Sequence, residues 1–151
     1  MRTNEQIAQE VNKLIEKNND ACLGYKNAAE NVNNAQLKTF FQKQAVNRNR
    51  YANELKQELQ IIHPSAELNN TGSLKGDVHR GWMDIKAAFS SESDEEVLEE
   101  CIRGEKACLE EYDEVLESVN KLPQSVCDTI QVQYREIRQT IDTVKRLEDL
   151  H

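Results

Sequence analysis

Four polar residues stand where apolar ones are expected. Asn18, Gln44, Arg48 and Glu105 each interrupt an apolar stripe of three-and-four spacing, at comparable depth along helices expected to face one another. A guanidinium is a planar fork of donors that matches carboxylate and amide oxygens. The chemistry this set offers is a buried polar layer, with Arg48 paired to Glu105 and hydrogen-bonded to Asn18 and Gln44. Two alternatives stay open. Members of the set can swing to the edge and be solvated, or the carboxylates can hold a cation, Glu105 with Glu136 and with Glu30 or Glu54 in a rearranged site. Tyr25 and Tyr112 read as core aromatics whose hydroxyls join the layer. The chain has no nucleotide loop, no complete metal constellation and no catalytic motif, so no catalytic residue is assigned.

A second group lies close together in sequence. His79, Arg80, Trp82 and Asp84 can form a surface recognition patch, since His79 and Trp82, three apart, share a helix face. The competing interpretation has Trp82 plugging one end of the fold with His79 beside it. Cys22, Cys101, Cys108 and Cys127 fall inside helical patterns without a CxxC pair, which reads as reduced core thiols. The acidic run Glu92 to Glu100 suits a helix start and a solvated face.

The elements that must position these residues are helices. Five glycines and two prolines in 151 residues leave little material for turns, and Leu, Glu, Lys, Gln, Ala and Asn dominate. A first helix is expected from Thr3 to Val32, with a Thr3/Gln6 capping box and an Asn-rich stop at Asn31 to Asn34. A second runs from about Ala35 to Ile62 and ends before His63-Pro64. A shorter one is expected from Ser73 to about Phe89, inside a long crossover. A fourth follows a Ser93/Glu96 capping box to about Asn120 on Leu98, Cys101, Cys108, Tyr112, Val115 and Val119. Pro123 opens the fifth, whose stripe is Val126, Ile130, Tyr134, Ile137, Ile141 and Val144. The four long helices reach about 40 Å each, so they can lie side by side as two antiparallel hairpins in a single domain over residues 1–151.

Charge narrows the partners. With 27 acidic against 19 basic residues and a net charge of −8, the chain repels a phosphate backbone, which argues against nucleic acid. No signal-peptide core and no run of 18 apolar residues is present, so neither export nor membrane insertion is expected and a cytoplasmic location follows.

Helix one carries Asp20-Ala21-Cys22-Leu23-Gly24-Tyr25 and helix four Lys106-Ala107-Cys108-Leu109-Glu110-Glu111-Tyr112; seven residues before each tyrosine stand Asn18 and Glu105. This pattern resembles ferritin-like proteins, in which a glutamate metal ligand precedes a tyrosine by that interval. Glu105 matches and Asn18 looks like a lost ligand. The Phe40-Phe41-Gln42-Lys43-Gln44-Ala45 segment is similar to the one those families follow with Glu-x-x-His, but here Arg48 and Tyr51 stand in the corresponding places. Glu136 is followed at three residues by Gln139, so the second such pair is also incomplete. Over nearly its whole length the chain is similar to an uncharacterised bacterial family of ferritin-like four-helix bundles known as a domain of unknown function. Leu14 to Asp20, Gly24-Tyr25, His79 to Asp84, Gly104-Glu105 and Gln133 to Ile137 carry that likeness. Members often have a histidine where this chain has Ile141.

The resemblance implies an all-α, ferritin-like antiparallel four-helix bundle with an additional shorter helix in the crossover. Two functions compete. One is a non-enzymatic protein without a cofactor, stress-related by family resemblance, that associates with itself or with a protein partner. The other is a divergent ferritin-like protein binding iron or another divalent metal through Glu105 and Glu136.

Overall fold

The computed structural model describes residues 4–64, 94–117 and 122–150, and among them the chain is four α-helices without a strand. α1 spans Asn4–Asn31, α2 Ala35–Ile62, α3 Asp94–Leu116 and α4 Gln124–Leu150. The short helix expected over 73–89, the capping residues Thr3 and Ser93, and the patch of His79, Arg80, Trp82 and Asp84 lie outside the described residues. No described helix is long and apolar enough to cross a membrane.

Local chemistry sets the helix ends. Asn34 has extended backbone angles, and its side-chain oxygen accepts from the N–H groups of Gln36 (2.9 Å) and Leu37 (3.0 Å), satisfying two donors that the first turn of α2 leaves open. At the other end the His63 N–H reaches Leu59 O at 2.8 Å, and Pro64, which has no N–H to give, follows. Pro123 stands just before α4 and accepts from the Cys127 N–H at 3.1 Å. α3 ends at Leu116, short of the Asn120 expected.

Cross-helix contacts give the directions. Asn4 Nδ2 donates to Ile62 O at 3.2 Å, so α1 and α2 are antiparallel over their full length. The Asp94 carboxylate accepts from the N–H groups of Asn33 (2.9 Å) and Asn34 (3.1 Å), placing the start of α3 at the α1–α2 turn. Glu58 contacts Ser125 and Gln44 contacts Thr140, so α4 runs antiparallel to α2. α1 packs on α2 and α3, and α4 packs on α3 and α2. α2 and α3 therefore point the same way across a diagonal, and the chain passes from one end of the fold to the other between Ile62 and Asp94.

The core is divided. One apolar cluster contains Leu14, Ile15, Tyr51, Leu55, Cys108, Tyr112 and Ile130. The other contains Ala21, Tyr25, Phe41, Ala45, Leu98, Cys101 and Val144. Asn18 on α1, Arg48 on α2 and Glu105 on α3 fall between the two in sequence on every helix, and all three are buried. On α4 the core position between Ile130 and Ile137 is Gln133, fully buried, while Tyr134 and Ile141 of the expected stripe are only partly covered.

Candidate functional site

The site is assembled from side chains of all four helices: Asn18 on α1, Arg48 on α2, Glu105, Cys108 and Tyr112 on α3 and Gln133 on α4. Arg48, 1% exposed, donates through Nη2 to Glu105 Oε1 and through Nη1 to Asn18 Oδ1 at 2.8 Å; Cys108 Sγ lies 3.6 Å from the same Nη1. Asn18 turns its amide nitrogen to Leu14 O (2.8 Å) and to the Tyr112 hydroxyl (2.7 Å). Tyr112 donates to Gln133 Oε1 at 2.6 Å. Gln133 Nε2 in turn donates to Tyr51 O (3.2 Å) and to Glu54 Oε1 (3.0 Å). One continuous set of hydrogen bonds thus links a buried carboxylate to a surface one and crosses all four helices, with donor and acceptor matched at each step.

The electrostatics follow from burial. Desolvation works against the charge on Arg48, but the Glu105 carboxylate together with Cys108, Tyr25 and Tyr112 outweighs it, and the guanidinium holds its proton more firmly than a free arginine. Burial pushes the Glu105 carboxyl up, and Arg48 and the Tyr25 hydroxyl pull it back in part. An arginine does not give up its proton in a protein, so with that fixed cation in contact Glu105 is the ionised partner at neutral pH. Burial, joined by the charges of Glu105 and Cys101, pushes the Tyr25 hydroxyl well up, and burial does the same for Tyr112. Neither is a phenolate.

Around this centre the structure brings together Asn18, Arg48 and Glu105, and it separates Gln44 from them. Gln44 is buried but turned to α4, where its Oε1 accepts from the Thr140 hydroxyl at 3.4 Å. Glu136 is apart as well. It lies at the edge of the α2/α4 seam, 38% exposed, with Arg50 Nη2 at 3.2 Å and the Tyr51 hydroxyl beside it. Arg50 also pairs with Glu54 at 3.2 Å, and its guanidinium lies 4.9 Å from the centre of the Tyr51 ring, against 5.5 Å for Arg48. Glu54, one of the carboxylates of the rearranged-site reading, is thus a hydrogen-bond acceptor in the network.

These donors do not fit a metal ion. Glu105 is in contact with a buried guanidinium, and a divalent cation beside it would meet that positive charge in a region of low dielectric. Among the described residues no group of three or more His, Cys, Asp or Glu side chains is placed to hold a metal. All four cysteines are buried and none is in a disulfide.

Gln133 and the burial of Lys17, Asn19 and Asp20 beside Asn18 were not read from the sequence. For Gln133 a signal was present: it stands three residues after Ile130 and four before Ile137, a core interval that the neighbouring Tyr134 disguised.

Compared with known protein families, residues 6–118 match one described as a domain of unknown function, DUF2383. The chain belongs to this family. The match takes in α2, α3 and nearly all of α1, and with them Asn18, Arg48, Glu105 and Tyr112, whereas Gln133 and the rest of α4 follow it. DUF2383 membership thus covers the charged pair but not the residue that connects it to the surface. No curated protein matches the chain, and neither does any solved structure.

Proposed function

We propose that this DUF2383 protein is a non-enzymatic bundle of ferritin-like type, one domain over its whole length. In this reading Arg48 occupies the place of a metal, and the protein acts through self-association or a protein partner. The observation that carries the reading is the guanidinium, 1% exposed and held between Glu105 and Asn18, the two residues at the ferritin-like ligand positions. The helix directions support it too. Two antiparallel hairpins with parallel inner helices and a long connection are the connectivity of ferritin-like folds. A bacterial, cytoplasmic and stress-related setting rests on the sequence resemblance, and the net charge of −8 speaks against nucleic acid as the partner.

Metal content is the test, by inductively coupled plasma mass spectrometry on protein purified natively, with Arg48→Glu and Glu105→Ala alongside. Substoichiometric metal in the natural protein and uptake by Arg48→Glu are expected. Stoichiometric iron, manganese or zinc that disappears in Glu105→Ala would overturn the proposal and establish a divergent metalloprotein.

A further inference from the structure

The seam between α2 and α4 is held by a ladder of polar side chains. Glu58 accepts from Ser125 (2.9 Å) and Thr129 (3.2 Å), Glu54 from Gln133 (3.0 Å) and Gln44 from Thr140 (3.4 Å), while Arg50 donates to Glu136 (3.2 Å). Water reaches the middle of this ladder, since Arg50, Glu54 and Glu136 are 38–49% exposed. Clefts of about 280 and 290 Å³ lie along the same seam, one beside Glu54, Glu58 and Thr129, the other beside Gln44, Arg50 and Glu136. The ladder's outer rungs, Glu58 with Ser125 and Arg50 with Glu136, are solvated contacts that exchange readily with water and contribute little each.

α1 is the opposite case. From Lys17 to Cys22 six successive residues are buried, so every face of that helix is covered where it meets the charged pair. α1 also gives Val11, Leu14, Ile15, Tyr25 and Ala28 to the two apolar clusters, so the seams it forms with α2 and α3 cannot part without exposing apolar surface to water. The ladder connects inward to the Arg48–Glu105 centre, from Gln133 through Tyr112 and Asn18 to Arg48.

We propose that the α2/α4 seam is a gate. Its ladder parts while α1 stays packed on α2 and α3, and water and small solutes then reach the Arg48–Glu105 pair. The native thiols report on this opening. Cys108 lies against Arg48, behind the ladder, whereas Cys101 lies past its last rung among Phe41, Leu98 and Val144. Both are fully buried in the closed state.

The experiment is labelling of the unmodified protein with N-ethylmaleimide, each cysteine followed by peptide mass spectrometry, and repeated on Arg50→Ala and Glu58→Ala. Cys108 is expected to react faster than Cys101. The variants should accelerate Cys108 by about tenfold, the scale of losing one or two ordinary hydrogen bonds, and leave Cys101 nearly unchanged. Salt near 1 M, where the Debye length is about 3 Å, should favour Cys108 over Cys101 in the unmodified protein and so needs no folded variant. Equal rates at the two thiols, rising together in variants and in salt, would mean that labelling follows global unfolding, and the gate would be refuted.

Discussion

Replacing Arg48 by methionine keeps the stem of the side chain and deletes its charge, stranding Glu105 at 0% exposure. A carboxylate left there without its cation is relieved by taking up a proton on folding. From the ordinary value of 4.5, being protonated at pH 7 costs about 3.4 kcal/mol, 2.5 pH units at about 1.36 kcal/mol each. At pH 5 the same step costs only about 0.7 kcal/mol. The sign is fixed: in the variant the folded-state pKa of Glu105 lies above its unfolded value, so stability is present below about pH 4.5 and is lost as pH rises. Asn18 Oδ1 also loses its donor, a loss of about 1 kcal/mol or more that does not depend on pH. Urea unfolding followed by circular dichroism should show Arg48→Met destabilised by about 3–5 kcal/mol at pH 7. That deficit should shrink by about 2–3 kcal/mol at pH 5 relative to the unmodified protein, with unchanged m-values. A deficit of equal size at both pH values, or one below about 1 kcal/mol at pH 7, would refute the stranded-carboxylate account.

Tyr112→Phe removes the hydroxyl between Asn18 and Gln133 while Asn18 keeps Leu14 O as an acceptor, so urea unfolding should show a loss of about 1–2 kcal/mol, mostly from the orphaned Gln133 oxygen. Burial raises the thiols of Cys22, Cys101, Cys108 and Cys127, with Cys101 well above its ordinary 9.0. The thiol form is therefore the one that the fold favours, and its contribution is fully present below pH 9 and lost as pH rises beyond it. The thermal midpoint should fall from about pH 9 upward, and should fall less steeply in Cys101→Ala; parallel curves would contradict this. The double variant Arg48→Met with Glu105→Leu should unfold at a urea concentration near that of the unmodified protein, well above Arg48→Met alone; a double variant no more stable than the single one would show that the stranded charge is not the source of the loss.

The helices were legible because their signals are redundant. α2 runs from Ala35 to Ile62 as its apolar spacing, the Asn-rich stop before it and Pro64 after it all dictate. Asn18, Arg48 and Glu105 were legible as a set for a related reason: each falls on an otherwise apolar seam, which starts its side chain toward the interior, and at similar depth they have one another as partners. Gln44 shows the limit of that inference. It shares the seam of Arg48, but at four residues' distance it is rotated enough to reach Thr140 on α4, and only the packing angle of that helix decides between the two directions. The α2/α4 ladder was illegible because Glu54, Glu58 and Glu136 are ordinary solvated residues in composition, and their role depends on what a second helix sets opposite them.

The position of the charged pair across a diagonal explains what it contributes beyond stability. α1 and α2 have their register fixed by a three-residue turn, and a short connection joins α3 to α4. α2 and α3 have no such constraint, since about thirty residues separate them and the two helices meet mainly through the interior. Apolar side chains slide past one another at little energetic difference, and both core clusters contain Leu, Ala, Cys and Tyr at equivalent depths. A slip of one turn would set Arg48 opposite Cys101 or Cys108 and leave Glu105 buried without its cation. Protonating a stranded Glu105 at pH 7 is a penalty of about 3 kcal/mol, a discrimination of more than about a hundredfold between registers. The pair thus adds little to the stability of the correct fold and removes a great deal from the incorrect ones, which is the form of specificity that buried polar residues give elsewhere in helical cores.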